Sequence, residues 1–144
     1  MKWIALLLAL FSTTAVAEHR LDITLGSYHF SEKQEGEWNE VNPGLIYTYS
    51  PAEGIGFSVG RYRNSFSNYS NLAGLRLELP DYRSHTFGIL LGGVTGYQFD
   101  MNGAPAPVSP LAAPYVTLYQ RVNVSLQYAG RESSVGISAR LGEW

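Results

Sequence analysis

Two residues of this chain could carry out ester chemistry together. His29 lies in Ser27-Tyr28-His29-Phe30-Ser31, and Ser65 closes Gly60-Arg61-Tyr62-Arg63-Asn64-Ser65. A serine hydroxyl attacks an ester when a base within hydrogen-bond reach takes its proton, and an imidazole serves as that base when a third group orients it. Asn64 and Glu40, the latter in Trp38-Asn39-Glu40-Val41-Asn42-Pro43-Gly44, are the available orienters. Each residue also has an ordinary explanation. A lone histidine at a rim is usually solvated or part of an aromatic girdle, and Asn-Ser at a bend is usually turn chemistry.

The elements that must position these groups are strands. Val122, Val124, Leu126 and Tyr128 share one parity against Asn123, Ser125 and Gln127, and Val135, Ile137, Ala139 and Leu141 repeat the pattern against Gly136, Ser138, Arg140 and Gly142. Ile55, Phe57 and Val59, then Ala73, Leu75, Leu77 and Leu79, alternate in the same way. A period of two sets one face against an apolar phase and the other against a polar or small-residue interior. Turn signals divide the chain into strands expected at 20–30, 43–50, 55–63, 69–79, 86–97, 109–119, 121–129 and 134–143. Short connections (51–54, 80–83, near 120) largely alternate with longer ones (31–42, 64–68, 98–108, 131–133).

The fold class that follows is all-β: an eight-stranded antiparallel up-and-down transmembrane β-barrel, with short turns on the periplasmic side and both termini there. Trp144 ends the last alternating strand, as an aromatic residue ends exported bacterial barrels. A soluble lipid-binding barrel is the alternative. His29, Ser65 and the stretch around Asn39 all fall at the outer rim. Strict alternation gives His29 the parity of Leu21, Ile23 and Leu25, so it faces outward unless the first strand bulges.

Residues 1–17 read as a cleaved secretory signal. Lys2 precedes the apolar run 3–11, too short to span a bilayer, and Ala15-Val16-Ala17 fits the small-x-small cleavage pattern. Residues 18–144 then form one outer-membrane barrel domain. Fifteen glycines, ten tyrosines and 15% charged residues suit short twisted strands with aromatic girdles. With no cysteine there is no disulfide framework and no thiolate metal site. A net charge of −2 without a basic block argues against a nucleic-acid partner. No metal or diffusible cofactor is implied, and a monomer in the bacterial outer membrane is expected.

Inward positions are rich in small residues, among them Gly56, Ser58, Gly60, Gly88, Gly92 and Gly136. Either they leave room for a narrow ligand such as an acyl chain, with Gly88 and Gly92 as the pocket positions, or they relieve crowding between strands. Arg76, Glu78 and Arg140 share the inward parity towards the other end, where they could form a polar plug. Their net charge of +1 calls for a further acid or water.

The order of these features resembles the lipid A palmitoyltransferase (PagP) family of small outer-membrane barrels. The similarity rests on His29, then Asn39-Glu40 with Asn42-Pro43, then Asn64-Ser65. The Gly-rich segment His85-Thr86-Phe87-Gly88-Ile89-Leu90-Leu91-Gly92-Gly93 and the proline-rich stretch around Ala104-Pro105-Ala106-Pro107 follow. The resemblance implies transfer of a palmitoyl-like chain from a phospholipid donor to a lipid A acceptor. Ser65 would be nucleophile or oxyanion donor, His29 the base and Asn64 the orienter. Asn64 stands where the family has aspartate, so Asn64→Asp is expected to preserve or raise activity. The family's helix before the first strand has no counterpart. His29-Phe30-Ser31 also has the His-x-Ser spacing of PagL-type lipid A deacylases, though there the pair lies near the chain's end.

Overall fold

The computed structural model of this chain describes residues 17–30, 39–97, 106–129 and 132–144. Most of the expected signal segment, Ser31 of the His-x-Ser spacing, and most of the proline-rich connection lie outside the described residues. Eight strands form in chain order: β1 (Glu18–His29), β2 (Val41–Ala52), β3 (Ile55–Arg63), β4 (Tyr69–Glu78), β5 (Thr86–Thr95), β6 (Val108–Leu118), β7 (Val122–Ala129) and β8 (Glu132–Glu143). Each pairs antiparallel with its chain neighbours, and β1 pairs with β8, so the sheet closes into a barrel. The strands expected from alternation are all present, with bounds within about two residues. Closure leaves no sheet edge and pairs the backbone groups from strand to strand. The barrel has a turn end, carrying the tight turns and the chain termini, and an opposite rim end.

The residue distribution is inside-out for a water-soluble domain. Among the described residues, fifteen buried side chains are polar or charged and nine are hydrophobic. Large apolar side chains instead cover the outer face, with Leu45, Ile55, Phe57, Val59, Phe87 and Leu141 all strongly exposed. At the turn end His19 joins the termini. Its backbone exchanges hydrogen bonds with Trp144 at 2.7 and 2.9 Å, and its ring stacks on the Trp144 indole with centroids 6.0 Å apart.

β1 departs from strict alternation, and the departure decides where His29 points. Arg20, Asp22 and Thr24 face inward. Thr24 then pairs with Ser138 and Gly26 with Ile137, so Leu25 and Gly26 together oppose one residue of β8. The bulge resets the parity: Leu25, Tyr28 and Phe30 are exposed while His29 is buried. Gly26 is suited to this place because a Cβ there would lie 2.7 Å from the Glu40 carbonyl oxygen.

The polar plug forms with two members that alternation had not drawn attention to. Arg20 Nη1 donates to Glu78 Oε1 at 2.8 Å, and Arg76 lies 3.6 Å from Asp22 Oδ2 and 3.8 Å from Glu78 Oε1. The Tyr115 hydroxyl donates to Glu78 at 2.5 Å, and the Arg76 guanidinium sits 4.9 Å over the Tyr115 ring. Asp22, fully buried, is the further acid that the charge balance called for. Arg140 pairs with Glu143 instead of joining this group. These side chains form a septum between a cavity on the rim side and a basin of about 330 Å³ at the turn end, the basin bordered by Glu18, Arg20, Glu53, Glu78 and Asp81.

Candidate active site

His29 and Ser65 meet. Ser65 Oγ lies 2.7 Å from His29 Nε2, and both side chains are buried. They reach each other from the rim ends of β1 and β3 because the bulge turns the imidazole inward and a tight bend turns the hydroxyl back. At this distance the serine O–H can pass its proton to the ring nitrogen, the first requirement for a serine nucleophile.

The Asn64 amide is taken up by the bend. Its Oδ1 accepts from the backbone N–H groups of Phe66 (2.9 Å) and Asn68 (3.0 Å), and its Nδ2 donates to Ser70 Oγ (3.0 Å) and the Gly96 carbonyl (3.2 Å). Both ends of the amide are committed to holding the 64–68 bend, in which Ser67 has φ 64°. Gly96, at φ 89°, gives the amide its room, since a Cβ there would come within 2.8 Å of Asn64 Nδ2. These four hydrogen bonds are those of a positioning residue for the backbone that carries Ser65, a role different from the orienter expected of Asn64. Of the two explanations open for Asn-Ser, turn chemistry belongs to Asn64 and the contact with the base belongs to Ser65.

Two further asparagines complete the support. The carbonyls of Arg63, Asn64 and Ser65 accept in succession from Asn42 Nδ2 (3.0 Å), Asn39 Nδ2 (3.0 Å) and the Asn39 backbone N–H (3.0 Å). Ser27 Oγ donates to Asn42 Oδ1 at 2.5 Å and links this clamp to β1. Glu40, the other expected orienter, is exposed and contributes its backbone carbonyl, which accepts from Ser27 N–H at 2.9 Å. Sequence reasoning placed the Asn39 stretch at the rim but missed this role, because a contact across 25 residues leaves no local pattern.

Ser65 lines a partly open cavity of about 70 Å³ inside the barrel. Ile46, Leu72, Leu90, Leu111 and Ala113 line one side, Tyr62 (three residues before Ser65) and Tyr97 (its ring 6.0 Å from that of Phe66) also border it, and Arg76 and Tyr115 form the floor. The hydroxyls of Tyr62 and Tyr97 are 3.1 Å apart; neither tyrosine was singled out from the sequence. Gly88 and Gly92, expected to line an acyl pocket, are not on this wall. A Cβ at Gly88 would meet the Tyr115 hydroxyl at 2.5 Å, and one at Gly92 the Ala73 carbonyl oxygen at 2.1 Å. Gly56, Gly60 and Gly136 are similarly hemmed in, at 2.8, 2.8 and 1.9 Å. The inward glycines relieve crowding, and the cavity lies between larger side chains.

No protein-family model matches the chain, and no curated protein matches its sequence.

Proposed function

We propose that this barrel resides in the bacterial outer membrane and transfers an acyl chain from a phospholipid to lipid A, with Ser65 as nucleophile and His29 as base. The 2.7 Å hydrogen bond between two buried side chains, 36 residues apart and opening on an internal cavity, carries the proposal. The membrane location draws support from the inside-out distribution of side chains: a closed barrel whose outer face is apolar suits a hydrocarbon surrounding and is costly in water.

In the first half-reaction Ser65 Oγ attacks the ester carbonyl while His29 Nε2 takes the hydroxyl proton. The tetrahedral adduct collapses, the bond to the glycerol oxygen breaks, and the imidazolium returns the proton to that oxygen. The acyl group is left on Ser65. A lipid A hydroxyl then attacks the acyl-enzyme, gives its proton to His29, and Ser65 leaves with a proton restored. The tyrosine hydroxyls facing the cavity supply O–H donors for the developing oxyanion.

Mass spectrometry of lipid A from cells with and without the protein tests this. A gain of one acyl mass, lost in Ser65→Ala and His29→Ala, is expected. Loss of an acyl mass would make water the acceptor and the protein a deacylase. Unchanged lipid A with the wild type would leave a non-enzymatic barrel.

A further inference from the structure

The outer face of β3 and β4 changes character at one rung. Counting from the turn end, Ile55 pairs with Leu77, Phe57 with Leu75 and Val59 with Ala73, three apolar pairs on the outward side. The next two outward pairs are Arg61 with Asn71 and Arg63 with Tyr69, and all four residues are exposed. Alternate residues of a strand lie about 7 Å apart and opposed residues about 5 Å apart, so these side chains form one compact polar patch.

Both arginines lack an acid. The ion pairs of the described residues engage Arg20, Arg76 and Arg140, and no described carboxylate pairs with Arg61 or Arg63. The Arg61 guanidinium lies over the Tyr69 ring, 4.8 Å from its centroid. That contact holds the charge at the outer surface without neutralising it. Two positive charges at the edge of an apolar face are costly against hydrocarbon and settle where anionic headgroups are within reach.

Charge and position choose the occupant. A phosphate monoester carries nearly two negative charges and matches two guanidinium groups, whose donor forks fit phosphate oxygens; a diester carries only one. Ser65 follows Arg63 by two residues, so at most about 7 Å of chain separates them. Arg63 faces outward and Ser65 lines the cavity, on the two sides of one strand end.

We propose that Arg61 and Arg63, with Asn71 and Tyr69 beside them, bind the phosphate monoester of the acceptor glycolipid and hold its sugar at the lip of the barrel next to Ser65. The proposal deepens the acyl-transfer function and rests on it for the identity of the lipid.

Native mass spectrometry of the full chain in non-ionic detergent reads the binding of lipid A, of lipid A stripped of its phosphates, and of phosphatidylglycerol. Lipid A should bind about tenfold or more tightly than either, the worth of a charge-assisted hydrogen bond. Arg61→Gln with Arg63→Gln should remove that preference. Arg83→Gln with Arg121→Gln, an equal loss of charge from exposed arginines at the turn end, should leave it intact. Both double variants should keep heat-modifiable migration on gels. Equal binding of lipid A and its dephosphorylated form would overturn the proposal, as would an equal loss in the two double variants. Phosphatidylglycerol bound as tightly as lipid A would overturn the choice of a monoester. With a phospholipid donor present, the Arg61 and Arg63 double variant should raise the KM for lipid A by about tenfold and keep kcat. Lipid A acylated with an unchanged KM would overturn the docking surface alone. Phosphate- and arginine-dependent binding of lipid A that the wild type never acylates would sink the acyl-transfer function and leave the surface standing.

Discussion

The two ends of the barrel interior solve the problem of buried polarity in different ways. At the rim end the polar groups are amides, hydroxyls and an imidazole: three asparagines, three serines and a histidine, joined by hydrogen bonds between 2.5 and 3.2 Å. At the septum they are charged, with Arg20, Arg76, Asp22 and Glu78 packed against Tyr115. The first kind of network leaves a hydroxyl free to react without a strong local field. A charged one locks the wall strands together and closes the space below. On the acyl-transfer proposal, chemistry and closure fall to separate layers of one barrel.

The largest effect expected is on activity at the rim. Ser65→Ala and His29→Ala should each lower lipid A acylation by about a thousandfold or more, since nucleophile and base act as a unit. Both variants should still fold, migrating differently on gels before and after heating. Loss of folding in both would make the pair structural and erase the contrast between the ends.

Next in size is the septum. Asp22→Ala takes from Arg76 the nearer of its two acids, leaving Glu78 at 3.8 Å, and should cost about 3–5 kcal/mol of barrel stability, read by urea unfolding in lipid vesicles. Replacing both partners, Asp22→Leu with Arg76→Met, should recover most of that loss. If Asp22→Ala were nearly neutral, the septum would not be the strand lock described here.

Asn64→Asp sharpens the comparison by bringing a carboxylate into the rim end. Contrary to the expectation from the family's aspartate, it should cost about 1–3 kcal/mol and reduce activity. The two amide N–H donors disappear and the Gly96 carbonyl faces a carboxylate. Preserved stability with raised activity would restore a direct role for position 64 beside His29. The smallest effect belongs to Glu40→Ala, expected within about 0.5 kcal/mol and without change in acylation, because the exposed side chain contributes only backbone to the clamp. A large loss of acylation would instead make Glu40 the orienter.

Much of the fold was legible because a barrel writes itself in a period of two: Val122 to Tyr128 and Val135 to Leu141 need no further information to be placed as strands. His29 shows the limit. Its parity pointed outward, and one extra residue at Leu25-Gly26 reversed it; nothing local in the sequence distinguishes that glycine from one in a regular strand. Arg20 and Asp22 have inward parity and could have been named alongside Arg76. The pairing of His29 with Ser65 was legible only as two suitable residue types at one rim. Gly88 and Gly92 show a different limit. An inward glycine reads the same whether it opens a space or accommodates a neighbour such as Tyr115, and only the packing tells which.

The seam where β1 meets β8 has a consequence for how the protein folds. Seven of the eight strand pairings join neighbours along the chain and can zip from local turns. The eighth brings His19 to Trp144, the most distant partners in the described chain. The entropy of closing that long loop falls on this one event, which makes it the natural late and slow step of assembly. Trp144 moves from solvent or lipid onto the His19 ring as the seam forms, so its fluorescence should follow closure in time, after the signal from strand formation has already appeared.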